Sequence, residues 1–213
     1  MNVDLKVAQL LVSRVCHDLA GGVGALSTGA ELLVEEGGTA DDAALTLIAL
    51  SAKQTTSRLQ FLRMAFGLGG GADGSPSTTT HDLHKLFSNY IEGGRIRIEW
   101  NPENVQIGLH EGKLLLNMCL IACEALPRGG VVEVNISDVE GRLGFGVAAK
   151  GDKAHLKPEF MSIITVQTDL ERLTPRNIHG HFTAVLANKL GAELEIAVIG
   201  EDEIGLAALL PSI

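Results

Sequence analysis

The chain is poor in aromatic side chains, which make up 4% of its 213 residues and include one Trp and one Tyr. Proteins that hold single-stranded nucleic acid stack its bases on aromatic platforms, and few can be built here. Basic residues are also in deficit, with 17 Lys and Arg against 26 Asp and Glu and a formal net charge of −9. That sign repels a phosphate backbone and an anionic lipid surface, so neither nucleic acid nor membrane is an expected partner. The three cysteines cannot all pair within the chain and none lies in a C-x-x-C motif, which argues against a disulfide framework. Long apolar runs are missing as well. The opening stretch MNVDLKVAQLLVSRVCHD is broken by Asp4, Lys6 and Arg14. It offers neither a signal-peptide core nor a span of roughly 20 apolar residues, and a cytoplasmic protein is expected. What the chain does have is aliphatic residues and glycine, 46% hydrophobic overall with 25 Gly, a globular composition long enough for one large domain or two small ones.

Periodicity divides the chain. Ala8, Leu11, Val12, Val15, Leu19, Val23, Leu26, Ala30 and Leu33 recur in threes and fours, the spacing of one long amphipathic helix. Gly37 and Gly38 should stop it. Thr39 is placed to cap a second helix with Asp41 and Asp42 in its first turn, and Leu45, Ile48, Ala52, Thr55, Leu59, Leu62 and Phe66 continue at heptad spacing. Two such helices form an antiparallel hairpin, residues 1–67, that buries one seam only. A second copy is the simplest cover, giving a dimeric four-helix bundle. In residues 68–80 glycine, Ser, Thr and Pro displace every periodic apolar residue, as in a linker. Residues 81–213 read differently. Thr80 should cap the helix HDLHKLFSNYIE, RIRIEW alternates as a strand, and LLLNMCLIACEAL reads as a buried helix ended by Pro127, Gly129 and Gly130. VVEVNISDVE and RLGFGVAAK form a hairpin turning near Gly141, NIHGHFTAVLANKL is a helix stopped by Gly191, and AELEIAVIG and IGLAALLP are strands. The fold class is α+β, with a helix layer on a mixed or antiparallel sheet.

His17 is the candidate for chemistry. At 100° per residue it lies about 200° from both Val15 and Leu19 and points off the apolar stripe. The same outer face carries Ser13, Ala20, Gly21, Gly24 and Thr28, so the surface beyond the imidazole is nearly bare. Glycine inside a helix costs about 1 kcal/mol relative to alanine, yet Gly21, Gly22, Gly24 and Gly29 all fall here. An exposed imidazole on a flattened face suits a nucleophile that another protein must approach closely, as in phosphoryl transfer. Asp18 is placed to orient the imidazole, and Arg14, one turn earlier, to screen a phosphate. Spacing alone is also met by a solvated histidine whose neighbouring glycines serve tight helix packing. Cys119 and Cys123, one turn apart, sit among Leu115, Leu116, Met118, Leu120 and Ile121 and read as core rather than as half of a metal site. Arg58 and Arg63, far along the second helix, read as solvated.

The run SRVCHDLAGGVGALSTGAELL resembles the histidine-bearing helix of the ChpT-type histidine phosphotransferases of alphaproteobacterial phosphorelays. LLLNMCLIACEALPRGGVVEV resembles the second-domain helix and strand of the same family, and FTAVLANKLGAELEI its late helix. The resemblance implies a homodimer that passes phosphoryl groups from the receiver domain of a hybrid histidine kinase to response regulators such as CtrA, with His17 as carrier. On this reading the helix face beside His17, with Arg14, Ala20, Gly21, Gly24 and Thr28, is the expected receiver-docking surface, and Mg²⁺ is expected from the receiver, with no cofactor or metal bound by this chain alone. The resemblance also implies a C-terminal α/β sandwich shaped like a histidine-kinase ATPase domain without its activity. Working kinases of that shape carry two asparagines one helical turn apart. Here Asn117 occupies the first position and Ile121 the second, and AAKGDKAHL stands where an adenine-reading D-x-G-x-G is expected. Two rival readings remain at this stage: an autophosphorylating ATP-dependent kinase with unusual nucleotide motifs, and a noncatalytic dimeric docking module.

Overall fold

The computed structural model describes residues 4–35, 42–67, 77–101, 103–164 and 167–211. Two long helices come first, α1 (Leu5–Glu35) and α2 (Asp42–Phe66). The expected helix stop at Gly37 and Gly38, the Thr39 cap and Asp41 lie outside the described residues. The helices run antiparallel and very close. A Cβ on Gly22 would lie 2.1 Å from Thr55 Oγ1, and one on Gly29 would lie 2.7 Å from Ile48 Cγ1. The helix-propensity cost of these two glycines is offset by the approach they permit, whereas Cβ atoms on Gly21 and Gly24 would meet nothing within 4 Å.

Of the stretch read as a linker, residues 68–76 lie outside the described residues, and the remainder is structured. It holds β1 (Ser77–Thr79), followed by α3 (Thr80–Ile91), β2 (Ile96–Trp100) and β3 (Gln106–Gly108). β1 and β3 pair antiparallel in a small two-stranded sheet, which strands of three residues do not announce by periodicity. Thr79, not Thr80, caps α3, accepting from the Asp82 amide. Thr80 is buried instead, donating from its hydroxyl to the Glu103 carbonyl at 2.6 Å. Next come α4 (Leu109–Glu124), β4 (Gly130–Val139), β5 (Arg142–Lys150), the single-turn α5 (Pro158–Met161), a 3₁₀ turn at Leu170–Arg172, α6 (Ile178–Lys189), β6 (Glu193–Gly200) and β7 (Glu203–Leu209). α4 starts before the expected Leu114 because its first turn is polar, with His110 and Glu111 ahead of the apolar run. Glu140 and Gly141 both take positive φ, 55° and 78°, as a two-residue hairpin turn between β4 and β5 requires.

The main sheet has order β2-β4-β5-β7-β6, with β2 parallel to β4 and the other neighbours antiparallel. The expected α+β class and mixed sheet are thus present. No helix among the described residues is long and apolar enough to cross a membrane.

The hairpin and the α/β part are not separate bodies joined by a tether. Phe61, Leu62 and Ala65 of α2 are buried in the same core as Leu83 and Phe87 of α3 and Leu114 to Ile121 of α4. Phe61 stacks on Tyr90 with ring centroids 4.1 Å apart, and Phe66 meets Phe182 edge-on at 5.5 Å. Val7, Leu10 and Leu11 of α1 pack on a second cluster of Ile163, Leu173 and Ile178. Much of the stripe that a lone hairpin leaves bare is therefore covered by the chain's own α/β part. Leu45 and Leu59, read as members of the same seam, remain 44% and 50% exposed.

Candidate functional site

The site lies on α1 opposite the end of α2 that enters the shared core. His17 projects into solvent, its side chain 77% exposed, with Nδ1 3.3 Å from Asp18 Oδ1. An Nδ1–H donating to that carboxylate leaves Nε2 as the unprotonated, outward nitrogen. Ala20, Gly21, Gly24 and Thr28 are exposed beyond the ring, so the helix surface there is formed largely by backbone. An imidazole placed this way can be reached by a bulky protein without displacing side chains.

Arg14 does not belong to that open surface. Its side chain is 11% exposed and fully engaged: Nε donates to Asp18 Oδ2 at 2.8 Å, Nη2 to Glu124 Oε1 at 2.9 Å and Nη1 to the Arg176 carbonyl at 3.1 Å. Burial pulls the guanidinium pKa down, but Asp18 and Glu124 outweigh that and raise it above its ordinary value. The expectation that Arg14 greets an incoming phosphate is corrected here. It sits three residues before His17, on the side of α1 turned toward α4 and α6, where burial and three acceptors, one at each nitrogen, fix the fork inward rather than toward a partner.

The cation that does reach the site surface is Arg58, whose Nη1 stands 3.4 Å from the Asp18 carbonyl while the residue stays exposed. Read along one helix it seemed remote. The antiparallel pairing seen at Gly22 with Thr55 and Gly29 with Ile48 brings it opposite Asp18, because each step along α1 is matched by a step back along α2. Applying that register to the two heptad patterns would have found it. Arg58 also lines a cavity of about 390 Å³ with Tyr90, Gly93, Arg95 and Cys123.

Below the site lies His179 of α6, with 0% exposure and neither ring nitrogen hydrogen-bonded among the described residues. Its Nε2 is 3.9 Å from Glu124 Oε1, and Phe160 lies 5.0 Å away ring to ring. Burial, and then the Arg14 charge, push its pKa down to about 3, so it is a neutral ring at physiological pH. Sequence alone placed it only as the start of a helix.

Residues 80–202 match the family model "Histidine phosphotransferase C-terminal domain". The chain is 34% identical over 198 residues to protein phosphotransferase ChpT of Brucella abortus, covering 93% of each chain. The chain belongs to the histidine phosphotransferase family. A solved bacterial phosphotransferase superimposes with a TM-score of 0.82 at 31% identity over 98% of both chains. The histidine kinase domain of a blue-light activated histidine kinase from Erythrobacter litoralis aligns at a TM-score of 0.47 and 18% identity, over 96% of this chain and 92% of that one, a likeness too remote to bear on activity. As a histidine phosphotransferase, the protein moves phosphoryl groups within a phosphorelay.

For a histidine phosphotransferase, the fate of the kinase-type nucleotide positions matters. Asn117 is wholly buried, its Nδ2 donating to the Ala65 carbonyl of α2 and the Lys113 carbonyl, both at 2.9 Å. Ile121 is also fully buried. Lys113 donates to the Gly67 carbonyl. The Asn117 amide nitrogen thus joins α4 to α2 while its Oδ1 is sealed in the core with no hydrogen-bond partner among the described residues, and the aliphatic, buried Ile121 offers no ligand atom, so these residues do not fit a nucleotide-bound metal. Further along, Lys150 pairs with Glu133 at 2.5 Å and Asp152 with Arg128 at 2.5 Å. Cys119 is buried in α4 and burial raises its thiol pKa well above the ordinary value, the behaviour of a packing residue.

Proposed function

We propose that His17 is the phosphoryl carrier and that the protein relays phosphate between aspartates of receiver domains. The observation that carries this reading is the pairing of an exposed imidazole, its Nδ1 turned to Asp18, with the bare surface at Gly21 and Gly24. In the transfer, the Nε2 lone pair of His17 attacks the phosphorus of a receiver aspartyl-phosphate and the bond from phosphorus to the carboxylate oxygen breaks. The Nδ1 proton stays on the ring, where Asp18 balances the positive charge that develops. The second receiver's aspartate reverses these steps. Positioning dominates such chemistry, and the open face is what lets a receiver bring its carboxylate in line. Receivers dock over Ala20, Gly21, Gly24 and Thr28, with Arg58 rather than Arg14 as the nearby cation. The donor would be the receiver of a hybrid histidine kinase and the acceptors CtrA-like response regulators. The receiver supplies the Mg²⁺ that screens the transferred group, and this chain binds no cofactor of its own.

The same reading takes the protein as a homodimer through its hairpins. Leu5, Val12, Val23 and Val34 of α1 are exposed, as are Leu45, Leu50 and Leu59 of α2. Val12, Val23 and Val34 recur at a spacing that returns to the same side of a helix within about 20° per step. Such a stripe supports a second copy as its cover.

Incubation with a phosphorylated receiver tests the carrier assignment. His17→Ala and His17→Gln should lose all labelling while keeping the fold, since an exposed position contributes within about 0.5 kcal/mol. The label on the unmodified protein should be acid-labile and comparatively base-stable, as expected of a phosphoramidate. Labelling of His17→Ala would refute the assignment.

A further inference from the structure

We infer that Glu124 of α4 and Arg14 of α1 are positioning residues for the phosphoryl-accepting imidazole, acting through Asp18 to decide which nitrogen of His17 is free to attack. The inference rests on His17 as carrier and adds a role for residues of the α/β part that touch no reacting atom.

Neighbouring side chains on a helix diverge by about 100°, so His17 and Asp18 do not meet by helix geometry alone. An unrestrained Asp18 carboxylate could present either oxygen to the solvent, to the imidazole or to neither. Here one oxygen is committed. Arg14 Nε holds Oδ2 at 2.8 Å, and the other oxygen, Oδ1, is left facing His17 Nδ1 at 3.3 Å. Arg14 is not free to choose its pose either. Its planar fork is pinned at Nη2 by Glu124 at 2.9 Å and at Nη1 by the Arg176 carbonyl at 3.1 Å, two acceptors from outside the hairpin. A rigid guanidinium with all three nitrogens engaged transmits orientation in a way a flexible ammonium cannot. The chain of contacts thus runs from the end of α4 through Arg14 and Asp18 to the ring on α1. His179, next to Glu124, cannot take over from Arg14, because its burial keeps it neutral. Oriented this way, Asp18 accepts from Nδ1–H and selects the tautomer with Nε2 bare and pointing outward. The α/β part then acts on the chemistry by setting the tautomer of a histidine that it does not itself touch.

The test uses the full chain, with two readouts for the unmodified protein, Glu124→Gln and Arg14→Lys. Long-range proton–nitrogen NMR correlations report the His17 tautomer, and transfer from a phosphorylated receiver reports the rate. The unmodified protein should show His17 protonated at Nδ1. Both variants should move it toward a mixture of tautomers and slow transfer roughly fivefold, the size of one partly exposed charge contact, with the half-saturating receiver concentration unchanged. The imidazole signals come from the folded species, so a loss of stability does not mask the result. Wild-type tautomer in Glu124→Gln overturns the inference whatever the rate. His17→Ala in the same assay separates the two claims: if it still accepts phosphate, the carrier assignment falls. If it does not, while Glu124→Gln transfers at the wild-type rate, only the positioning role falls.

Discussion

Acidification should weaken the fold through His179, and the size of the effect follows from where the ring sits. It has 0% exposure, no hydrogen-bond partner for either nitrogen among the described residues, and a buried guanidinium, Arg14, as a charged neighbour. The nearest carboxylate oxygen, on Glu124, is 3.9 Å away and already accepts from Arg14. Protonation in the folded state is resisted down to a pKa of about 3, against 6.5 for an ordinary histidine. The unfolded chain therefore binds a proton at this position that the folded chain refuses, and stability falls as pH falls. The contribution is complete above about pH 6.5, is lost at up to about 1.4 kcal/mol per pH unit below it, and stops changing near the folded pKa. Between about pH 7 and about pH 5 this amounts to about 2 kcal/mol, which does not depend on the exact folded value so long as it lies well under 5. Urea unfolding of the unmodified protein and His179→Leu at those two pH values isolates the term, because leucine cannot titrate and any pH-independent packing change cancels in the difference. The unmodified protein should lose about 2 kcal/mol more than the variant. Equal losses in the two proteins would refute the assignment of a neutral, uncompensated ring at this position.

The four glycines of α1 should divide by contact rather than by propensity. Gly24→Ala, with open space around its Cβ, should stabilise the protein by up to about 1 kcal/mol. Gly22→Ala must displace Thr55, whose hydroxyl donates to the Ser51 carbonyl at 2.7 Å, and should destabilise by about 1–3 kcal/mol, both measurable by urea unfolding. Gly24→Leu should fold normally and still weaken receiver docking, read as a raised half-saturating receiver concentration. ATP with Mg²⁺ should give no calorimetric signal of micromolar affinity, since Asn117 and Ile121 are committed to the core; such a signal would revive an autophosphorylating kinase. Leu59→Glu, at a half-exposed position, should leave the single chain folded and yield a monomer in light scattering, and a monomeric unmodified protein at micromolar concentration would refute the dimer.

What the sequence determined by itself is local and periodic. The apolar spacing of α1 and α2, the alternation in β2, the turn at Gly141 and the bare face beside His17 are all properties of residues a few positions apart, and the chain's own stereochemistry reads them out. The missed elements are short or masked by polar first turns: β1 and β3 are three-residue strands, and α4 opens on His110 and Glu111. Tertiary structure decided what each side chain around the site faces. Arg14 and Arg58 exchange the roles expected of them, because a residue's direction on a helix says nothing about which element will cover that direction. Arg14 is covered by α4 and α6 and becomes a buried strut, while the antiparallel register carries Arg58 to the surface beside Asp18. The heptad of α2 likewise announced an apolar seam without saying who fills it. Leu62, together with Phe61 and Ala65 outside that heptad, is covered by the chain's own α3 and α4, since burial against residues already tethered nearby costs no association entropy, and outer positions such as Leu45 and Leu59 stay exposed. Glu124 and His179 had no periodic signal at all. Their part in the site exists only because α4 ends and α6 begins beneath α1, more than a hundred residues away in sequence from Arg14.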